Sequence, residues 1–264
     1  VKIMSRFMQY INEGRTKIIT KDSAIYYIRK KCFKNFKMLT LSPNKIFRGV
    51  SSFDDDYGMI NTNKGSPRKS ANTFNYMTLL MDNLPSWNGY PLRSQSVICS
   101  NEKNTANSYG NSYTIIPFDN SKVGICPYED VWLSFKFLDD LGYTYTVDDF
   151  NDHLMDLFEY YKINVDDSKY ESLKNGLIEL KKLFDKNKLN ELDPSFYELF
   201  EDKDIIDNFN KYFGPSYNGF SKGIENVDKL RSFNEIWIQG ECILINNDSK
   251  EPVQNIYDDI WDSL

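Results

Sequence analysis

The chain has 264 residues, 41% hydrophobic and 15% aromatic, which is enough to bury a sizeable core in one large or two small domains and too apolar for a disordered chain. A formal charge of -6 and a pI near 5.0 argue against a general polyanion binder, so nucleic acid is not the expected partner. Cys32, Cys99, Cys126 and Cys242 lie far apart with no C-x-x-C spacing, and His153 is the one histidine. A structural zinc site and a Ser-His-Asp or Cys-His nucleophile are therefore poorly supplied, and no metal is expected.

No run approaches the roughly 20 apolar residues of a membrane span, and the N-terminus lacks the apolar core of a secretion signal. The expectation is a soluble protein with reduced thiols and no membrane partner.

Residues 1–43 read as an N-terminal helical segment. Met4, Phe7, Met8 and Ile11 recur at helical spacing, and after Asn12-Glu13-Gly14 the pattern resumes from Lys21 to Phe36 along Ala24, Ile25, Ile28 and Cys32, with Thr20 or Asp22 as cap. Within it, Phe7-Met8-Gln9-Tyr10-Ile11-Asn12-Glu13 before Gly14 resembles the capsid-targeting peptides of internal head proteins in large tailed bacteriophages, which are cut after Ile-x-Glu or Leu-x-Glu. That resemblance implies packaging in a phage virion; the bland alternative is a small packing helix.

Asn44 to Ser51 reads as a short strand holding Arg48, with Gly49 directly after. Arg48 is either a solvated edge residue or a planar fork of donors gripping phosphate at the base of a pocket, where Gly49 lets the backbone approach a ligand. Residues 52–70 read as a surface loop, and Lys69 to Met81 as a helix. Strands are expected at Ser96–Ser100, Tyr113–Pro117, Val123–Cys126 and Val131–Phe135, with a short polar helix from Asn101 to Tyr109 closed by Gly110.

Residues 147–213 read as an acidic helical insert. Phe150, Leu154, Leu157, Phe158 and Tyr161 form one apolar stripe, and Leu173, Leu177, Leu180 and Phe184 another, so these are packing faces; Asp149 is a candidate cap and His153 a packing histidine. From Phe213 to Gly223, three glycines and a proline suggest a mobile loop presenting Tyr217 or Phe220, or else a plain connection.

Close to the C-terminus, Ile236-Trp237-Ile238 and Cys242-Ile243-Leu244-Ile245 read as strand around Gln239-Gly240-Glu241. In an extended segment Gln239 and Glu241 project to one face. They are either hairpin turn residues or a fixed carboxylate with its polar partner, suited to handling a hydroxyl or developing positive charge. The tail from Asn247 is acidic, with Ile256, Ile260 and Trp261 placed to seat a last helical turn.

Arg48 in Ile-Phe-Arg-Gly, Ser100 closing its strand, and Gln239-Gly240-Glu241 before an apolar strand fall in the order of the Arg, Ser-Thr-Ser and Gln/Glu-x-Glu elements of mono-ADP-ribosyltransferases. The chain resembles that family over roughly residues 44–135 and 215–250, and Ala106, Tyr109 and Gly110 fit the short helix that follows the family's Ser-Thr-Ser. Ile98-Cys99-Ser100 departs from that motif, with Ser94 or Ser96 as substitutes from another register. Gln239 resembles the transferases that do not use arginine as acceptor.

The resemblance implies an α+β fold with an NAD cleft between two small antiparallel sheets, built from residues 44–146 and 214–264. Arg48 would hold NAD phosphate or ribose beside Gly49 and Tyr109. Ser100 would support the architecture around Arg48 and the catalytic carboxylate. Glu241 would stabilise the oxocarbenium-like transition state, and Gln239 would orient the acceptor with Tyr217 and Phe220. The function implied is ADP-ribose transfer from NAD to a protein acceptor, as a phage effector in the host bacterial cytoplasm. The alternatives are an NAD glycohydrolase and a non-catalytic binding protein that keeps the fold.

Overall fold

The computed structural model describes residues 16–51, 53–64, 67, 74–140, 146–189, 196–201, 203–230, 233–249 and 253–262. The helix expected over residues 4–11 and the Phe7–Glu13 peptide lie outside these residues. The strands are β1 (Lys17–Ile18), β2 (Phe47–Val50), β3 (Tyr57–Asn61), β4 (Val97–Ser100), β5 (Asn111–Pro117), β6 (Lys122–Ile125), β7 (Ser221–Lys222), β8 (Glu235–Gln239) and β9 (Glu241–Asn246). The helices are α1 (Lys21–Lys31), α2 (Phe33–Leu41), α3 (Tyr76–Asn83), α4 (Lys103–Asn107), α5 (Lys136–Asp140), α6 (Val147–Tyr160), α7 (Tyr170–Asp185), α8 (Tyr197–Glu201), α9 (Ile205–Tyr212), α10 (Pro215–Asn218) and α11 (Val253–Asp262). The fold class is α+β, with every strand pairing antiparallel.

Two compact units divide the chain. The first takes residues 1–68, 90–129 and 221–264, and the second takes 69–89 and 130–220. The helical insert thus lies in the second unit, which also takes residues 69–89, 130–146 and the Phe213–Phe220 stretch.

Among the described residues all nine strands belong to the first unit, in the order β1-β3-β9-β5-β2-β4-β8-β6-β7. Two features show that this sheet is not a flat ribbon. β8 and β9 stand four places apart in the order, roughly 19 Å in a flat sheet at the usual strand spacing, yet Gly240 alone joins them, a link of at most about 7 Å. The sheet must therefore curl until these two strand ends meet. In addition, β2 and β4 share the single register pair Phe47↔Ser100, whereas β5 and β9 share five. The sheet consequently has a weak seam between a five-stranded half (β1-β3-β9-β5-β2) and a four-stranded half (β4-β8-β6-β7). In place of the two small antiparallel sheets expected, the described residues form one antiparallel sheet, joined weakly at this seam.

Side-chain alternation supplies the core. Val97 and Cys99, Tyr113 and Ile115, Ile236 and Ile238, and Cys242 and Leu244 point from both halves into one buried cluster. The opposite face of β3, β5 and β9 carries Tyr57, Ile116, Ile243 and Ile245, covered by Ala24, Ile28 and Phe36 of α1 and α2 and by Ile256 and Ile260 of α11. The acidic tail therefore closes the core, as its apolar spacing implies. Thr20 caps α1 by accepting from the Ser23 amide at 3.2 Å, and Arg29, Lys30 and Lys31 meet the negative end of its dipole.

The helix expected over Lys21–Phe36 breaks at Cys32, and α2 runs on to Leu41. Its first turn has no local side-chain cap; Asp119, from the β5–β6 turn, accepts instead from the Asn35 amide at 2.9 Å and the Lys34 amide at 3.3 Å. Part of the expected loop 52–70 is β3. Its alternation is masked by Asp54–Asp56 and by Gly58, whose missing Cβ makes room for the Phe53 ring.

The second unit is helical and aromatic-cored. Phe135, Phe150, Phe209 and Phe213 are almost fully buried, and the Phe150 and Phe213 rings lie 4.9 Å apart. Thr146 and Asp149 form a capping box at the start of α6, so Asp149 closes the cap that Thr146 makes. In place of the strand expected over Val131–Phe135, Val131–Leu133 is a 3-10 turn, held by Asp130 accepting from the Trp132 amide at 2.9 Å. His153 stacks on Phe196 with ring centroids 4.7 Å apart, a packing role.

Candidate functional site

The seam places two of the candidate residues together. Arg48 is 8% exposed, and its Nη1 donates to the Ile98 carbonyl at 2.7 Å. Where β2 and β4 part after Phe47↔Ser100, this guanidinium takes up a β4 carbonyl that an open ladder would otherwise leave bare. Ser100 closes β4, 8% exposed, and its Oγ accepts from the Glu102 amide at 3.0 Å, turning the chain into α4. Gly49 lets the backbone be approached closely, but by this chain itself: a Cβ there would meet the Ala106 carbonyl of α4 at 1.9 Å and the Tyr109 side chain at 2.9 Å. Tyr109 is accordingly half-buried against β2.

Gln239-Gly240-Glu241 sits elsewhere. Gly240 has φ +133° and makes the corner from β8 to β9, so Gln239 and Glu241 belong to two different strands and the alternation of one extended segment does not apply to them. Glu241 is half-buried and accepts from Asn61 Nδ2 at 2.9 Å. Arg48 lies opposite Tyr113, and Tyr113 opposite Asn246, five residues and roughly 16 Å along β9 from Glu241. The register separates Glu241 from Arg48 and Ser100, and the expected trio is not assembled.

Glu235 is the carboxylate that stands next to Ser100, its register partner across β4 and β8. Phe47, Ser100 and Glu235 thus form one cross-strand row over the seam. Glu235 is 3% exposed, and Arg93, 8% exposed, meets it with both guanidinium nitrogens: Nη1 bonds Oε1 closely and Nη2 reaches Oε2 at 3.3 Å. A buried ion pair endures only with such bidentate geometry, because both charges have left water. The Arg93 guanidinium also lies 5.9 Å from the Trp237 ring centroid, and Cys126 Sγ is 4.0 Å from Glu235 Oε1.

Trp237 is fully buried and donates from Nε1 to the Pro91 carbonyl at 3.1 Å. It lies over Gly124, where a Cβ would meet the indole at 2.4 Å. Tyr90 stacks on it with centroids 6.5 Å apart.

Gln239 ties this group down. Its Oε1 accepts from the Leu92 amide and its Nε2 donates to Gln95 Oε1, both at 3.0 Å, so it grips the turn Arg93–Gln95 from both ends. Ser96, expected as a substitute hydroxyl for the departed motif, donates instead to the Leu92 carbonyl at 2.7 Å.

No family model, curated protein or solved structure matches the chain. Among the described residues no group of three or more His, Cys, Asp or Glu side chains is placed to hold a metal, and no helix is long and apolar enough to cross a membrane. All four cysteines are buried and none is in a disulfide. Burial, with Asp119 and Glu241 adding to it, pushes the Cys32 thiol far up, and burial raises Cys242 well above 9.0, so neither offers a thiolate.

Tyr217 and Phe220 belong to the second unit. The Phe213–Gly223 stretch is ordered as α10 with Gly219 in the left-handed conformation after it. Phe220 is 6% exposed, packed on Trp87 with centroids 5.0 Å apart, and is an anchor of that core, not a presented aromatic; Tyr217 is 39% exposed.

Glu235 and Arg93 are not among the residues that the motif order singles out. Glu235 was visible as a carboxylate opening the apolar run Ile236-Trp237-Ile238. Nothing in sequence marks Arg93, 142 residues away, as its partner.

Proposed function

We propose that the first unit is a mono-ADP-ribosyltransferase-type domain that cleaves NAD between nicotinamide and ribose and passes ADP-ribose to a protein acceptor, with Glu235 in the role the motif order gives to Glu241. The observation that carries the reading is the seam itself: Ser100 beside Glu235 on β4 and β8, and across it, on β2, Arg48, whose guanidinium reaches the β4 carbonyl of Ile98. A seam between two sheet halves, with an arginine on one side and a carboxylate next to a serine on the other, supports this reading.

The chemistry suits these groups. When the bond from C1′ of ribose to the nicotinamide nitrogen breaks, its electron pair leaves with nicotinamide, and positive charge grows on C1′ and the ring oxygen. A fixed carboxylate facing that ribose binds the transition state more strongly than the neutral ribose of the ground state, which is the condition for acceleration. The acceptor then bonds to C1′ and gives up its proton. The Arg48 guanidinium would hold pyrophosphate oxygens in line. A phage effector acting on a bacterial host protein remains the setting that the Phe7–Glu13 peptide suggests.

One observation favours a second reading. Arg93 already occupies both oxygens of Glu235 and the pair is almost fully buried, as in a binding module that keeps the fold without turnover. Nicotinamide release from NAD, measured for the wild type, Glu235→Gln and Glu241→Ala, with and without bacterial lysate, separates the readings. The transferase predicts release that rises with lysate, falls by at least 100-fold in Glu235→Gln, and survives in Glu241→Ala. Lysate-independent release points to a glycohydrolase, and no release from folded wild type to the binding module.

A further inference from the structure

Resting on Glu235 as the working carboxylate, we propose that Gln239 is a positioning residue for it, acting through the Leu92–Gln95 turn and Arg93, and has no contact with an acceptor. The chain of contacts is continuous. Gln239 Oε1 accepts from Leu92 N at 3.0 Å and Gln239 Nε2 donates to Gln95 Oε1 at 3.0 Å. Between those anchors Arg93 leaves the turn and bonds both oxygens of Glu235. Both polar ends of the Gln239 amide are thus spent on one turn, and the turn delivers one guanidinium.

The strand geometry adds a reason for glutamine here. Glu235, Trp237 and Gln239 alternate onto the face of β8 opposite Ile236 and Ile238, which belong to the core. The three side chains stand in a row about 7 Å apart, and the turn lies across that row: Gln239 holds its backbone, Trp237 bonds Pro91 ahead of it and faces the guanidinium, and Glu235 receives the charge. Glutamate at 239 could accept from Leu92 but could not donate to Gln95, and would set a second carboxylate on the row that Arg93 neutralises. Among the described residues, the charged and titratable neighbours touching Glu235 are Arg93 from the turn and Cys126 from the β6 end; β4 presents the uncharged Ser100.

The experiment compares wild type, Gln239→Ala, Gln239→Glu and Gln95→Ala, each checked for a native fold by circular dichroism. Its first readout is the exchange of the Arg93 guanidinium protons with water, followed by nitrogen-15 NMR with Arg93→Lys assigning the signal. Loosening the turn weakens the Arg93–Glu235 contact, so exchange speeds up on the order of tenfold in Gln239→Ala, and by less in Gln239→Glu and Gln95→Ala, which each keep one anchor. The second readout is nicotinamide release, where kcat falls and KM for NAD holds. Unchanged guanidinium exchange in a folded Gln239→Ala overturns the proposal, and so does a KM effect without an exchange change. Absence of release from wild type sinks the transferase reading alone, since the exchange still reports the coupling.

Discussion

Replacing Glu235 by alanine leaves the Arg93 guanidinium, whose side chain is 9% exposed, buried with its carboxylate gone. Removing one partner of a buried pair costs about 3 to 5 kcal/mol, because the remaining charge keeps its desolvation penalty and loses the attraction that offset it. Arg93→Ala is expected to cost a similar amount, with Glu235 as the stranded charge. The double change Arg93→Met with Glu235→Leu removes both penalties together and should return to within about 1 kcal/mol of the wild type. Because the chain has two units, a global melt would mix them. Hydrogen exchange at the Ile236 and Ile238 amides of β8, followed against urea, reads the first unit. With a urea slope of roughly 2 kcal/mol per molar, the single variants should shift the opening midpoint down by about 1.5 to 2.5 M. Single variants that each cost under about 1 kcal/mol, or a double variant as damaged as the two singles summed, would refute the buried-pair account.

Two further predictions concern the framework. Asp119→Ala should destabilise α2 by about 1 to 2 kcal/mol, since the helix start loses the carboxylate accepting from the Lys34 and Asn35 amides; faster exchange at those two amides, with β8 unaffected, is the check. The Tyr113 hydroxyl donates to the Phe53 carbonyl at 3.0 Å and the Asp55 carbonyl at 3.2 Å. Burial first, then the Asp54, Asp55 and Asp56 charges, push its pKa up from 10.0 to about 12. The folded state holds this proton more tightly than the unfolded chain, so the contribution is complete below pH 10 and is lost as pH rises toward 12. Tyr113→Phe should be less stable at pH 7 by about 1 kcal/mol and should decline less steeply in an alkaline denaturation series; a slope equal to wild type would contradict the assignment.

What the sequence determined by itself is local. The apolar spacing of α1, α6, α7 and α11 and the Thr20 cap of α1 depend on neighbours within a few positions, and they are where periodicity places them. Arg48 could be singled out as a charge inside a short apolar strand, which needs a structural explanation, and Ser100 only through the motif order of the resemblance. The tertiary structure decided which strands lie side by side. A strand's register fixes its neighbours over separations of 50 to 200 residues and leaves no mark in the local pattern. Gln239 and Glu241 read as one face only while Gly240 is taken as extended; its positive φ turns the chain into a second strand and sends the two side chains to different partners. Glu235 became the seam's carboxylate because β8 pairs with β4 at Ser100, and Arg93 became its counter-charge because a turn between β3 and β4 in the chain is laid across β8. Long-range pairing is selected by burial of the whole sheet, so the residues it brings together can be recognised only once the fold is known.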